Sequence, residues 1–260
     1  MKKILQIANG VSLVFAIAMS YISNTGVFGG NTMKTVSDEY WNLFTPAGYA
    51  FSIWGLIYLG LLGFVLYTGR SLFNNKEDND PIVMQVGWWF VIANLGTSIW
   101  VVVWLYGYTL LSSAIMLIVL ISLIKIILNT RMELDYHPLK RYLLIYWPFA
   151  FFSGWISVAF IANNAALLTK NNWDGFGISE VMWTIIMIAV AGLLNVVVIL
   201  TRNLREFGLV GIWALVAIAA SNSEKGSPDV VMAAYIVAAI ILVTIAYSGF
   251  KSRNRSAGKM

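Results

Sequence analysis

Long unbroken blocks of apolar residues alternate with short polar stretches along this whole chain. A helix needs about 17 to 25 apolar residues to cross the hydrocarbon of a bilayer. Segmentation on that length predicts eight helices, near residues 4–23, 46–69, 82–106, 108–129, 141–168, 179–200, 207–222 and 228–249. The seventh is the shortest. Strands of a membrane barrel would instead read as segments of roughly ten residues with alternating polarity. Local signals mark several starts: Thr45-Pro46, Asp80-Pro81 and Ser227-Pro228 each set a capping side chain before a proline. Proline suits the first helical position because the N–H it lacks would have no partner there. Ser179 ahead of Glu180 is a fourth such start. The fold class expected is therefore all-α, a polytopic helical membrane protein with about eight spans.

Charge placement tests that count independently, because cytoplasmic loops collect Lys and Arg. With the N-terminus inside, Lys2, Lys3, Arg70, Lys76, Lys125, Arg131, Lys140, Arg141, Arg202, Arg205, Lys251, Arg253, Arg255 and Lys259 fall on the cytoplasmic face, and only Lys34, Lys170 and Lys225 fall outside. Eight spans thus put both termini in the cytoplasm, and dropping one span would move the basic tail to the wrong face. The net charge of +5 is read as topogenic rather than as a nucleic-acid footprint. Residues 1–23 look like a signal peptide in their Lys2-Lys3 start, but the apolar stretch is longer than a usual signal core. They are expected to stay as the first helix.

Composition agrees with the pattern: 59% of the residues are hydrophobic, 11% are charged, and there are 21 Gly and 11 Trp. Soluble domains run near 45–50% apolar and about 25% charged. The absence of Cys removes disulfides, thiolate metal sites and a Cys nucleophile. His137 is the only histidine, sits in the loop Asp135-Tyr136-His137-Pro138, and is expected to be solvated. All twelve carboxylates lie in loops or at helix ends. A charge at the bilayer centre costs roughly 2.5–3.5 kcal/mol on insertion scales and is kept for function. Carriers driven by buried carboxylates are therefore disfavoured, as are hydrolases and phosphoryl-transfer enzymes, whose motifs do not occur.

What the spans do contain is aromatic rings and amides. Phe51, Trp54 and Tyr58 are spaced i, i+3, i+7, and Trp155, Ala159 and Asn163 are spaced i, i+4, i+8, so each set is expected on one helical face. Asn94 adds an amide in the third helix, where an unpaired polar group is costly. From a rise of about 1.5 Å per residue, Trp54 lies roughly 12 Å, Trp155 roughly 20 Å and Asn163 roughly 8 Å below the outer surface. If helices 2, 3 and 5 are neighbours, these residues converge on one cavity that could seat a planar ligand. The bland alternative is packing, with Trp88, Trp89, Trp100, Trp104, Trp173 and Trp183 read as belt or packing residues and the two amides as interhelical ties.

At these residues the chain resembles the translocator protein family, the tryptophan-rich sensory proteins or peripheral benzodiazepine receptors (TspO/MBR). Pro46 to Tyr58 is similar to that family's Pro-Pro-Gly-x-x-Phe-x-x-x-Trp-x-x-x-Tyr, with Ala47 in place of the second proline and one residue fewer between Phe51 and Trp54. Trp155 to Asn163 matches the family's Trp-to-Asn run in helix 5, while Asn94 and Ser98 keep only half of Asn-x-x-Trp-Ser, with Thr97 where Trp is expected. The resemblance covers about residues 1–168 and implies a five-helix bundle, residues 1–170, extended by three helices and a basic tail, residues 171–260. It implies a receptor or sensor in the inner, or plasma, membrane for planar apolar molecules: porphyrins or haem as ligand rather than cofactor, sterols, or benzodiazepine-like compounds. The pocket residues it implies are Trp54, Asn94, Trp155 and Ala159, and the shared helical faces add Phe51, Tyr58 and Asn163 to the expected site. It also implies a homodimer, at which Gly60 and Gly63 are candidates for close packing. Transport of apolar metabolites is an alternative, as is light- or oxygen-dependent tetrapyrrole breakdown, in which Trp155 would be the catalytic residue.

Overall fold

The computed structural model describes residues 1–72 and 81–257, with the side chains of all of these but 225 and 253–257. Asp80, expected as a cap, and Lys76, Lys225, Arg253, Arg255 and Lys259 of the charge pattern fall, wholly or in their side chains, outside the described residues. Eight long helices are present: α1 (Lys2–Ile22), α2 (Ile53–Gly69), α3 (Trp89–Leu105), α4 (Thr109–Asn129), α5 (Trp147–Lys170), α6 (Glu180–Arg202), α7 (Arg205–Lys225) and α8 (Pro228–Ala257). Among the described residues, seven helical stretches are long and apolar enough to cross a membrane, and α3 is an apolar helix of 17 residues beside them. The chain is a multi-pass helical membrane protein.

Two sequence expectations change in detail. The third helix does not run unbroken from 82: a short helix Ile82–Val86 ends at Gly87, whose φ of 56° and ψ of −145° are open to glycine but not to other residues, and α3 begins after it. Thr45 does not cap α2, because its hydroxyl accepts from Asn42 N–H and the chain enters α2 through a 3₁₀ segment, Gly48–Ser52. Pro148 follows a π-helical turn, Tyr142–Tyr146, that absorbs the proline's missing donor and ring bulk before α5 starts. The start at Ser179 is as expected, with its hydroxyl accepting from Met182 N–H.

The first five helices close into a ring in the order α1, α2, α5, α4, α3, each packed on the next and α3 back on α1. Inside it, Phe64 of α2, Phe90 of α3 and Phe149 of α5 meet with centroids 4.9 to 5.8 Å apart. These rings tie α3 to α2 and α5, although α3's main packing partners are α1 and α4. Gly60 and Gly63 face inward: a Cβ at Gly60 would lie 3.2 Å from Pro148, and one at Gly63 would lie 3.3 Å from Leu144. They bring α2 against α5 and the π turn before it within one chain.

The last three helices form a second layer in which α7 packs on α5, α6 and α8, and α8 packs on α6. Close approach is again the device. A Cβ at Gly154 of α5 would meet Phe207 O and Val210 Cβ of α7 at 3.0 Å, so α7 rests on α5 where α5 has no side chain. On the other side, Ile236, Ile240, Val243 and Tyr247 of α8 are exposed, a face suited to lipid.

Candidate functional site

The segment between α1 and α2 covers the end of the bundle opposite the N-terminus. Its short helix Met33–Glu39 is capped by Thr32, which exchanges hydrogen bonds with Thr35. Asn31 Nδ2 donates to Leu105 O at 3.0 Å, and the Tyr40 ring packs edge-on to Trp104 at 6.4 Å. Lys170 Nζ sits 5.3 Å over the Tyr40 ring and donates to Gly107 O. The Tyr40 hydroxyl is so close to Gly107 that a Cβ there would be 2.9 Å away. Burial, with the neighbouring Glu39 carboxylate, holds that hydroxyl above its ordinary pKa.

Beneath this roof lies a cavity of about 50 Å³. Phe51, Trp155, Ala159 and Asn163 line it, together with Tyr40 and Pro46 from the roof and Trp100 and Trp104 from α3. Phe51 meets Trp155 edge-on at 6.1 Å. Ala159, Ala162 and Ala166, at i, i+3, i+7 on α5, make one smooth wall, and the indoles of Trp100 and Trp104, stacked at 6.2 Å, contribute from α3. The result is a slot with flat aromatic surface and little polarity.

The other expected residues separate from these. Trp54 and Tyr58 stack on each other at 5.4 Å and line a smaller void of about 10 Å³ with Thr97, Ser98 and Trp100. The 3₁₀ segment explains the split: its backbone turns about 120° per residue instead of about 100°, so Phe51 is rotated off the α-helical face of Trp54 and Tyr58. The Trp54 indole N–H, in a ring only 5% exposed, has no partner among the described residues. Asn94 is buried but gives its amide N–H to Phe90 O on its own helix and lines neither cavity.

Asn163 is a brace. Its Oδ1 accepts from Trp100 Nε1 at 3.1 Å and from Ser112 Oγ at 3.0 Å, while Nδ2 donates to Ser113 Oγ at 2.6 Å and to Thr109 O. One amide thus joins α3, α4 and α5 with nearly all of its hydrogen-bonding capacity used. Sequence reasoning missed Trp100 as a wall residue. The signal was available, since Trp100 stands three residues beyond Thr97, one turn along the same helix from where the family pattern expects its indole.

Ala47 also gains a reason. Its N–H donates to Ala217 O of α7 at 2.9 Å, a bond that proline could not make. Around it Trp213 Nε1 donates to Ala50 O, Asn222 Nδ2 donates to Leu43 O, and Leu43 N–H donates to Glu180 Oε1 of α6. The added helices are thereby stitched to the segment that roofs the cavity. Comparison with known proteins agrees with this unity: a family model described as TSPO-like protein matches residues 6–247, which includes the last three helices. The chain belongs to the TSPO-like family. No curated protein and no solved structure matches it. Membership makes this a membrane protein of the ligand-binding, sensor type.

His137 departs from expectation. It is half-buried, with its ring edge-on to Tyr146 at 5.7 Å, because the 131–138 loop folds back on the end of the bundle near the N-terminus. The same loop buries Glu133.

Proposed function

We propose that this TSPO-like protein is a receptor for a planar apolar molecule of the tetrapyrrole class, bound in the slot beneath the 33–47 roof. The observation that carries the reading is the pairing of the alanine wall of α5 with the aromatic surfaces of Phe51, Trp100 and Trp155 in one cavity. Aromatic faces stack on a macrocycle, and small side chains leave it room. Ligand pockets usually hold about 300–1,000 Å³, against the slot's 50 Å³. Binding therefore displaces the roof, and α6 and α7, which hold that roof, set how readily it opens.

The test is a titration of the protein in nanodiscs with protoporphyrin IX in the dark, followed by porphyrin absorbance. Saturable micromolar or tighter binding is expected, weakened by Trp155→Phe and abolished by Ala159→Phe, which fills the slot. Ala165→Phe, on the opposite face of α5, is expected to leave it unchanged. Binding that survives Ala159→Phe would remove this reading.

A further inference from the structure

The largest cavity among those found lies elsewhere, in a groove of about 650 Å³ between the outer face of α5 and α6. Its deep end is apolar, with Phe160 and Ile161 of α5 facing Met187 of α6. From Phe160 to the end of α5 at Lys170 is ten residues, so the groove is roughly 15 Å deep. Its mouth is aromatic and acidic. Trp41, Trp173 and Trp183 stand there with Asp174 and Glu180.

The mouth is built rather than incidental. Trp183 Nε1 donates to Gly175 O at 2.7 Å, and the Trp173 and Trp183 rings lie 5.1 Å apart. Asp174 Oδ1 accepts from Phe176 N–H and Glu180 Oε1 accepts from Leu43 N–H, so each carboxylate is positioned by one oxygen. The second oxygen of each has no hydrogen bond among the described residues. In a chain of net charge +5, no Lys or Arg lines this groove among the described residues. Two cations at this end are engaged elsewhere: Lys170 is held by Gly107 O and Tyr40, and Lys34 pairs with Asp38. Negative carboxylates and the negative faces of indoles attract the same kind of ligand.

We propose that this groove is a second binding site, for a lipophilic organic cation whose apolar body lies between α5 and α6 and whose charge sits at Asp174, Glu180 and the indoles. The site is independent of the slot read above as the tetrapyrrole site, since it uses the opposite face of α5. The 41–44 segment forms part of its wall and continues into the roof of the slot.

The experiment uses the full chain in nanodiscs of zwitterionic lipid, with radiolabelled tetraphenylphosphonium and empty discs as background. Tetraphenylborate, of the same shape and opposite charge, is the competitor. Saturable binding of the cation is expected, without competition by the borate. Asp174→Asn with Glu180→Gln keeps both positioning hydrogen bonds, removes both charges, and is expected to weaken binding at least about tenfold. Ala165→Phe should weaken it by intruding on the groove, while Ala159→Phe leaves it intact. No saturable binding, equal competition by the borate, or wild-type affinity in the doubly neutral variant would each overturn the proposal. The doubly neutral variant decides the matter even if Ala165→Phe does not fold.

Discussion

At the scale of single residues, the amide of Asn163 and the carboxyl of Glu133 carry the most specific consequences. Asn163→Ala would leave the Trp100 indole N–H and the Ser113 hydroxyl without their partner inside the bundle, while Ser112 keeps Thr109 O. Buried polar groups that lose a partner cost about 1–3 kcal/mol. A loss of stability of that size is expected in thermal unfolding of the protein in nanodiscs, whether or not a ligand is present. Glu133 responds to pH. Burial first, then the facing Glu206 carboxyl by repulsion and a hydrogen bond, push it up from 4.5 to about 9, and Arg205 only partly offsets this. The folded protein therefore keeps a proton that the unfolded chain has released, so stability is greatest below the ordinary carboxylate pKa and is lost as pH rises through about 9. The unfolding temperature is expected to fall steadily between about pH 5 and pH 9. Glu133→Gln should flatten that slope, and an unchanged slope would separate Glu133 from the effect.

At the scale of elements, the link between the roof and α7 depends on a backbone hydrogen bond at a position where the resemblance leads one to expect proline. Ala47 has φ of −58°, which proline can adopt, so Ala47→Pro removes the donor to Ala217 O without straining that angle. The expected cost is about 1 kcal/mol, read as a lower unfolding temperature and as faster amide exchange across 41–50. Unchanged exchange there would mean that α7 does not hold the roof. The turn at Ala47 and the 3₁₀ segment after it belong together. One docks α7, and the other resets the phase that sends Phe51 and Trp54 to different cavities.

At the scale of the whole molecule, eight antiparallel helices place both termini at one end. We propose that the excess of Lys and Arg at that end marks it as the cytoplasmic one. Reporter fusions at the N-terminus and at the C-terminus are both expected to read cytoplasm. Opposite readings would require an odd number of spans and would remove one helix from the bilayer. The ring of five helices and the layer of three are joined at Gly154 and at the roof.

Apolar runs and basic loops alone determined the number of helices, their alternation and the membrane setting, because hydrocarbon thickness and the cost of burying charge act on each segment separately. The motifs from Pro46 to Tyr58 and from Trp155 to Asn163 pointed to the family for the same reason: they lie within single helices. Tertiary structure decided what depends on helices meeting. It set the ring order, brought Trp100 to Asn163, sent Phe51 and Trp54 to separate cavities, folded a loop carboxylate against Glu206, and opened a groove between α5 and α6. No local pattern encodes these features, since each arises where two surfaces distant in sequence come within a few ångströms, and a missing side chain at Gly60 or Gly154 sets that distance.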